Sequence, residues 1–348
     1  MTFLTNALAV GTWPIGEFAL MLCEPAGGDT SRPAAYSETH PASHSVAAFS
    51  EHILMQIGCL PRLLVVALWW SSVQFTWETD ARTLSWSWIG PILARDLAVC
   101  WFVGVVTDGA LLWKSSPLYE RMRLRKYNET VPHVFTTNGT SPIARDALLS
   151  SVAVACASAL EVAVLHLSAT GRLQYTGGDW WLHWPTVVLM LTWFYSQNIQ
   201  FYALHRSMHK WGIGGSWDPG ALLYKHVHSW HHRSRNPTAF SGNAMHPLEA
   251  TLYFAYCLFP VAFGAHPVAM IYIKTNLIAA AMLGHCGFEG PAQASKPHYL
   301  HHMLLNCNYA ETHLPLDKWL GSFAGSEADA EKMMAARGLL EKGKGKTA

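Results

Sequence analysis

Charge is scarce in this chain. Only 14% of its 348 residues are Asp, Glu, Lys or Arg, whereas soluble domains run at about a quarter. The length alone would allow two or three soluble domains, but this composition argues against them. A basic excess is also missing: the formal net charge is +1, which gives no case for a nucleic-acid partner. Seven cysteines (Cys23, Cys59, Cys100, Cys156, Cys257, Cys286, Cys307) are odd in number and form no CxxC pair. A disulfide framework and a zinc finger are both excluded, and the cysteines read as small buried hydrophobes. The first 23 residues lack a basic n-region and contain Glu17, which speaks against a cleavable signal peptide. No internal repeat is visible.

What the chain does have is apolar length. Hydrophobic residues make up 51%, and 16 tryptophans are present, a residue favoured at membrane interfaces. A linker rich in Pro, Ser and Ala covers 24–48, and four stretches then approach the ~20 apolar residues that cross a bilayer. They are Leu60–Gln74 with its flanks, Trp88–Trp113, Ala147–Ala169 and Trp181–Leu204. Arg95, Asp96 and Glu161 fall inside them, where a buried pair or a helix end would explain them. A further apolar stretch, Ala250–Gly284, is split by Pro260 and by His266–Pro267. It reads as a hairpin of two short halves that dips into the membrane.

The fold class expected is all-α: a multi-spanning membrane helical protein with a cytosolic, histidine-rich helical cap. Its parts are an N-terminal segment with a flexible linker (1–50), transmembrane helices (51–204), a catalytic domain (205–323, with the hairpin at 250–284) and a tail (324–348). Basic residues set the orientation. Lys114, Arg121, Arg123, Arg125, Lys126 and Arg145 lie in one loop, and Arg206, Lys210, Lys225, Arg233 and Arg235 in another. Both loops read as cytosolic. The sequons at Asn128 and Asn138 would then stay unmodified.

The histidines carry the chemistry. Thirteen of the 19 lie between His205 and His313. They group as His205-Arg-Ser-Met-His209, His228-Ser-Trp-His231-His232, a lone His285, and His298-Tyr-Leu-His301-His302. Positions i, i+3 and i+4 share a helix face, so each group is expected to aim two or three imidazoles at one point. Neutral imidazole suits iron, zinc, copper and nickel. Nine rings exceed the three or four protein ligands that a zinc site uses, so two metals fit the count better. His40, His44, His52, His133, His166 and His183 read as surface or structural residues. His226, His246, His266 and His313 stand between the two readings, with His246 favoured as a neighbour of the site.

These motifs resemble the sterol desaturase/fatty acid hydroxylase superfamily. The likeness runs through HRSMH, LYKHVHSWHHRSRNPTAF, MHPLE, HYLHHMLLNCNYA and PLDKWLGSF, over about residues 195–323. It implies an integral membrane fold on the endoplasmic reticulum or an equivalent membrane. It also implies a cytosolic di-iron site, O2 as co-substrate, and electrons from cytochrome b5 or a related donor. Carried over by position, the metal ligands are His205, His209, His228, His231, His232, His285, His298, His301 and His302. Asn308, with Tyr309 and Asp317, resembles the closing motif. His246, Glu289 and Asn308 are candidates for the shell behind the ligands. One box departs from the pattern, reading His285-Cys-Gly-Phe-Glu289 where an HxxxH is usual. Glu289 could be a ligand, a partner for an imidazole N–H, or a loop residue.

An unactivated C–H bond needs an oxidant that no side chain supplies, so a bound metal must carry that step. The expected function is hydroxylation or desaturation of a sterol or fatty-acyl lipid by two Fe ions, with zinc able to replace iron on heterologous expression. A zinc hydrolase would want HExxH, and HRSMH lacks its glutamate. A histidine-rich metal transporter is the non-enzyme alternative. The Lys344-Gly-Lys346-Thr-Ala segment resembles a dilysine retrieval signal, in keeping with an endoplasmic reticulum membrane.

Overall fold

In the computed structural model the described residues are 77–112, 127, 142–174, 182–212, 217–288, 296–311 and 314–339. The expected span Leu60–Gln74, the linker, both sequons, Glu289, His313 and the Lys344–Lys346 segment lie outside them. Among the described residues the elements are all helical, with no strand. Among the same residues, three helices are long and apolar enough to cross a membrane.

The first described element is a single turn, α1 (Trp77–Asp80), followed by α2 (Trp86–Leu112) and α3 (Pro142–Ala169). α2 and α3 pack along each other. The buried face of α3 alternates small side chains, among them Ala147, Ser150, Ala153, Ala157 and Ser158. Helices in lipid approach closely through such small residues. α4 (Trp184–Ser207) covers the fourth expected span but is not among the three apolar helices. The sequence explains the difference, because Ser196, Gln197, Asn198 and Gln200 interrupt its apolar run.

Short elements come next. α5 (Pro219–His226) leads into a 3₁₀ turn at His228–Arg233, and a second 3₁₀ turn covers Ala239–Asn243. The 250–284 stretch is broken where the sequence predicts, but its halves are unequal. α6 (Pro247–Phe254), a 3₁₀ turn (Ala255–Leu258) and the single turn α7 (Phe259–Ala262) form the first half. The second half is α8 (Pro267–Gly284), 18 residues long and one of the three spanning candidates. α6 and α8 start alike, with proline in the first turn. His246 Nδ1 accepts from Leu248 N at 3.2 Å, and His266 Nδ1 from Val268 N at 3.1 Å. Both histidines cap helices, which uses the proline's preset φ and satisfies one N–H that the helix start leaves free. α9 (Lys296–Leu304), the turn α10 (Leu316–Trp319) and α11 (Glu327–Ala336) complete the described elements.

The 239–243 turn is the keystone that positions the histidines. Asp108 of α2 accepts from Ala239 N at 2.7 Å, and Ser150 of α3 donates to Phe240 O at 2.5 Å. Asn243 Nδ2 donates to Ile278 O of α8 at 2.7 Å. Two glycines allow the close fit. A Cβ on Gly104 would lie 2.4 Å from the Phe240 ring, and one on Gly242 would lie 2.2 Å from Ala281 O.

Arg95, Asp96 and Glu161 form a buried ionic cluster rather than helix-end charges. Arg95 donates to Asp96 Oδ1 at 2.8 Å and to Glu161 Oε2 at 2.5 Å. A fourth member was not expected: fully buried Lys274 of α8 donates to Asp96 Oδ2 at 2.5 Å and also to Glu161. Ser158 donates to Asp96 Oδ2 at 2.8 Å. Two cations facing two anions tie α2, α3 and α8 together without leaving a net charge buried.

Candidate metal centre

The helix ends and short turns bring nine imidazoles together in two groups. His205, His209, His228, His232 and His301 form one; His231, His285, His298 and His302 form the other. His205 comes from the last turn of α4, His209 from just beyond it, and His285 from the C-cap of α8. His228, His231 and His232 lie on the 3₁₀ turn, and His298, His301 and His302 on α9. Sequence periodicity had aimed each box at one point, and the structure corrects this. His228 and His232 face the first group while His231 faces the second; His301 faces the first while His298 and His302 face the second. On α9, residues three and four positions on are displaced to opposite sides of the starting residue, so adjacent rings diverge by about 100°. Each HxxHH box bridges both groups. The groups abut, with the His232 and His302 rings 4.6 Å apart.

Four rings of the centre hold a proton at Nδ1. His205 Nδ1 donates to Tyr309 O at 2.8 Å, His301 Nδ1 to Cys307 O at 2.6 Å, and His285 Nδ1 to Ala281 O at 2.6 Å. His228 Nδ1 donates to Glu249 Oε1 at 2.7 Å. A carbonyl or carboxylate can only accept, so in the neutral ring Nε2 is left as a bare lone pair. The Nε2 atoms of these and neighbouring rings face one another. His232 Nε2 lies 3.0 Å from His228 Nε2 and 3.1 Å from His301 Nε2. His285 Nε2 lies 3.1, 3.0 and 2.7 Å from the Nε2 atoms of His231, His302 and His298. Ring nitrogens gathered this closely suit a cation placed among them. The donor set fits a metal, and its all-imidazole character suits iron, copper, zinc or nickel.

Burial disfavours the charged form of six of these rings. Loss of water pushes His285 down to about 4 and His301 to about 3. It also pushes His231, His232, His298 and His302 well below the usual histidine range, with neighbouring imidazoles adding to the effect. Neutral imidazole is the form that ligates.

Of the residues proposed behind the ligands, His246 belongs to neither group. It caps α6 and lies edge-on to Trp230 at 4.7 Å. Asn308 holds the fold around α9. Its φ is 52°, its Nδ2 donates to Pro297 O and Ala324 O, and its Oδ1 accepts from Ala324 N at 2.7 Å. Asp317 accepts from Tyr309 N at 2.9 Å and Ala310 N at 2.8 Å, which fixes the peptide whose carbonyl orients His205. Sequence reasoning missed Glu249, although it stands in the quoted MHPLE. It lies three residues after His246 on α6, a placement that could have marked it. The carbonyl partners left no side-chain signal to read.

Comparison with known proteins agrees with this centre. Residues 190–322 match the fatty acid hydroxylase family model. Lathosterol oxidase of Rattus norvegicus is 28% identical over 173 residues, 46% of this chain and 53% of that protein. A very-long-chain aldehyde decarbonylase of Oryza sativa subsp. japonica is 31% identical over 40% of this chain and 53% of its own. A Delta(7)-sterol 5(6)-desaturase of Leptosphaeria maculans is 27% identical over 36% of this chain and 34% of its own. The chain thus spans about half the length, or less, of the curated relatives it matches. No solved structure matches. Family model and relatives together support the resemblance to the sterol desaturase/fatty acid hydroxylase superfamily, and the family match takes in all nine clustered histidines.

Proposed function

We propose that this protein is a membrane-bound, O2-dependent lipid oxidoreductase that holds two iron ions in its nine histidines and hydroxylates or desaturates a C–H bond of a sterol or fatty-acyl lipid. One observation carries the reading: nine imidazoles converge in two abutting groups whose ring nitrogens lie within ligand distance of one another. Iron bound there would supply the power to activate O2 that side chains lack. His205, His209, His228, His232 and His301 would hold one ion, and His231, His285, His298 and His302 the other.

The chain's own contribution is preorganisation. Glu249 and the carbonyls of Tyr309, Cys307 and Ala281 fix the tautomers and aim the rings, as outer partners of metal-bound histidines do. Burial of the cluster excludes water, which would divert a reactive oxidant. Because His285 caps α8, a lipid lying along the spanning helices would meet the centre at their ends. Electrons would come from a donor such as cytochrome b5. The enzyme would sit in the endoplasmic reticulum membrane with the centre facing the cytosol. The transporter alternative draws less support, since transport sites lie near mid-membrane between broken helices.

Lipid profiling of cells lacking the protein tests this reading. One lipid precursor should accumulate, and wild-type protein should clear it while His302→Ala should not. An unchanged profile, or full rescue by His302→Ala, would refute it.

A further inference from the structure

The buried face of α4 runs from Met190 through Phe194 and Asn198 to His205, with Phe201 on the same stripe. It is apolar except where Gln197 and Asn198 interrupt it. These two side chains are 1% and 0% exposed. Gln197 Nε2 and Oε1, and Asn198 Nδ2 and Oδ1, all lack a hydrogen-bond partner among the described residues. Trp193 Nε1, four residues before Gln197, is buried and unpaired as well. Elsewhere on α4 the polar side chains are served at least in part, although Gln200 Oε1 is unpaired too. Gln200 Nε2 donates to Leu252 O at 3.1 Å, and Ser196 Oγ shares a hydrogen with Tyr256 OH at 2.6 Å. An unpaired buried amide carries its full desolvation penalty, and two adjacent ones on a helix leading into a metal centre call for a ligand. Asn198 precedes His205 by seven residues, a helical rise of about 10 Å. Phe201 lies between them, with its ring 4.9 Å from that of His205 and 5.9 Å from that of Tyr253.

We propose that Gln197 and Asn198 form a polar subsite for an uncharged oxygen of the lipid substrate, a hydroxyl, set about 10 Å from the carbon presented to the histidine centre. An amide offers both a donor and an acceptor, which matches a hydroxyl. A bare hydrocarbon would leave the amide atoms unpaired, and a site built to hydrogen-bond an OH rejects the analogue lacking it. This assignment rests on the oxidoreductase reading for the position of the reacting carbon, but it can be tested without turnover.

The probes are octadecane and octadecanols with the hydroxyl moved along the chain, added to purified full-length protein in phosphatidylcholine nanodiscs. Thermal stabilisation reports binding. Wild-type protein should bind the best-placed alcohol roughly tenfold more tightly than the alkane, the scale of one hydrogen bond to a buried group otherwise unpaired. Gln197→Leu and Asn198→Leu should abolish that preference. Each should also raise the Tm of the ligand-free protein, because an unsatisfied polar group is removed. A lower Tm in both variants would make the amides structural and overturn the proposal. Equal binding of alcohol and alkane by wild-type protein would overturn it too, and that comparison decides alone if a variant fails to fold. A protein that prefers the alcohol yet oxidises no lipid would defeat the oxidoreductase reading and leave the subsite standing.

Discussion

His228 donates its Nδ1–H to Glu249 Oε1 at 2.7 Å, joining the 3₁₀ turn of the second histidine box to α6. Both side chains are buried, at 1% and 3% exposure. The carboxylate fixes the tautomer and makes Nε2 a better donor. Removing such an outer partner typically costs 10–100-fold in metal affinity. Glu249→Ala should therefore weaken metal binding by about that factor, with Glu249→Gln, which keeps an acceptor oxygen, less affected. A chelator-competition titration measures this, and equal affinity in all three proteins would show that the contact does not tune the centre.

His231→Ala and His302→Ala each remove one ring from the four-histidine group, and turnover should fall below detection. His166 and His183 serve elsewhere. The first pairs with Ala81 O at 2.8 Å and the second with Thr186 Oγ1 at 2.7 Å. Their alanine variants should keep activity and lose about 1 kcal/mol of stability, the net value of one hydrogen bond. Activity assays on the four variants side by side would misplace the centre if all four were equally active.

Stability of the metal-free protein should depend on pH in a definite sense. The folded chain holds His285 down to about 4 and His301 to about 3, while unfolded histidine titrates near 6.5. Between those values the unfolded chain binds protons that the folded one refuses, so stability falls as pH falls. The Tm of the metal-free protein should drop between about pH 7 and about pH 5, and bound metal should oppose the drop by competing with protons. A flat Tm across that window would mean that the rings are not buried as described.

Lys274→Met should leave Asp96 and Glu161 with Arg95 as their one cationic partner in this cluster. Removing one member of a buried ion pair costs about 3–5 kcal/mol. The variant should express poorly or unfold early in detergent, while any folded fraction keeps its metal content. Wild-type stability in an unfolding titration would show that the cluster contributes nothing.

How much of this could be read beforehand depended on the kind of signal. Apolar length revealed α2 and α3, and the paired prolines revealed where 250–284 breaks. The length of α8 was hidden because one lysine and one asparagine, Lys274 and Asn276, sit in its apolar run, and only the fold supplies Asp96 and Glu161 as partners. The polar residues of α4 were visible but outweighed by its aromatics. For the site, spacing picked out eight of the clustered imidazoles, and His285, which stands alone in the sequence, entered with the family resemblance. The division of each HxxHH box between two groups was hidden, since it depends on where a second box packs. Cys307, Ala281 and Tyr309 act through backbone carbonyls, so their identities carried no message.

The central claim is that these imidazoles form two neighbouring metal sites, and counting metal tests it most directly. The protein should be expressed with iron, purified in mild detergent, and analysed for metal and protein together. The account predicts about two metal ions per chain, iron or adventitious zinc, as the two histidine groups require. It also predicts that His302→Ala, which strips the four-histidine group, keeps about one. A folded, active wild-type protein with a single ion or none would contradict it.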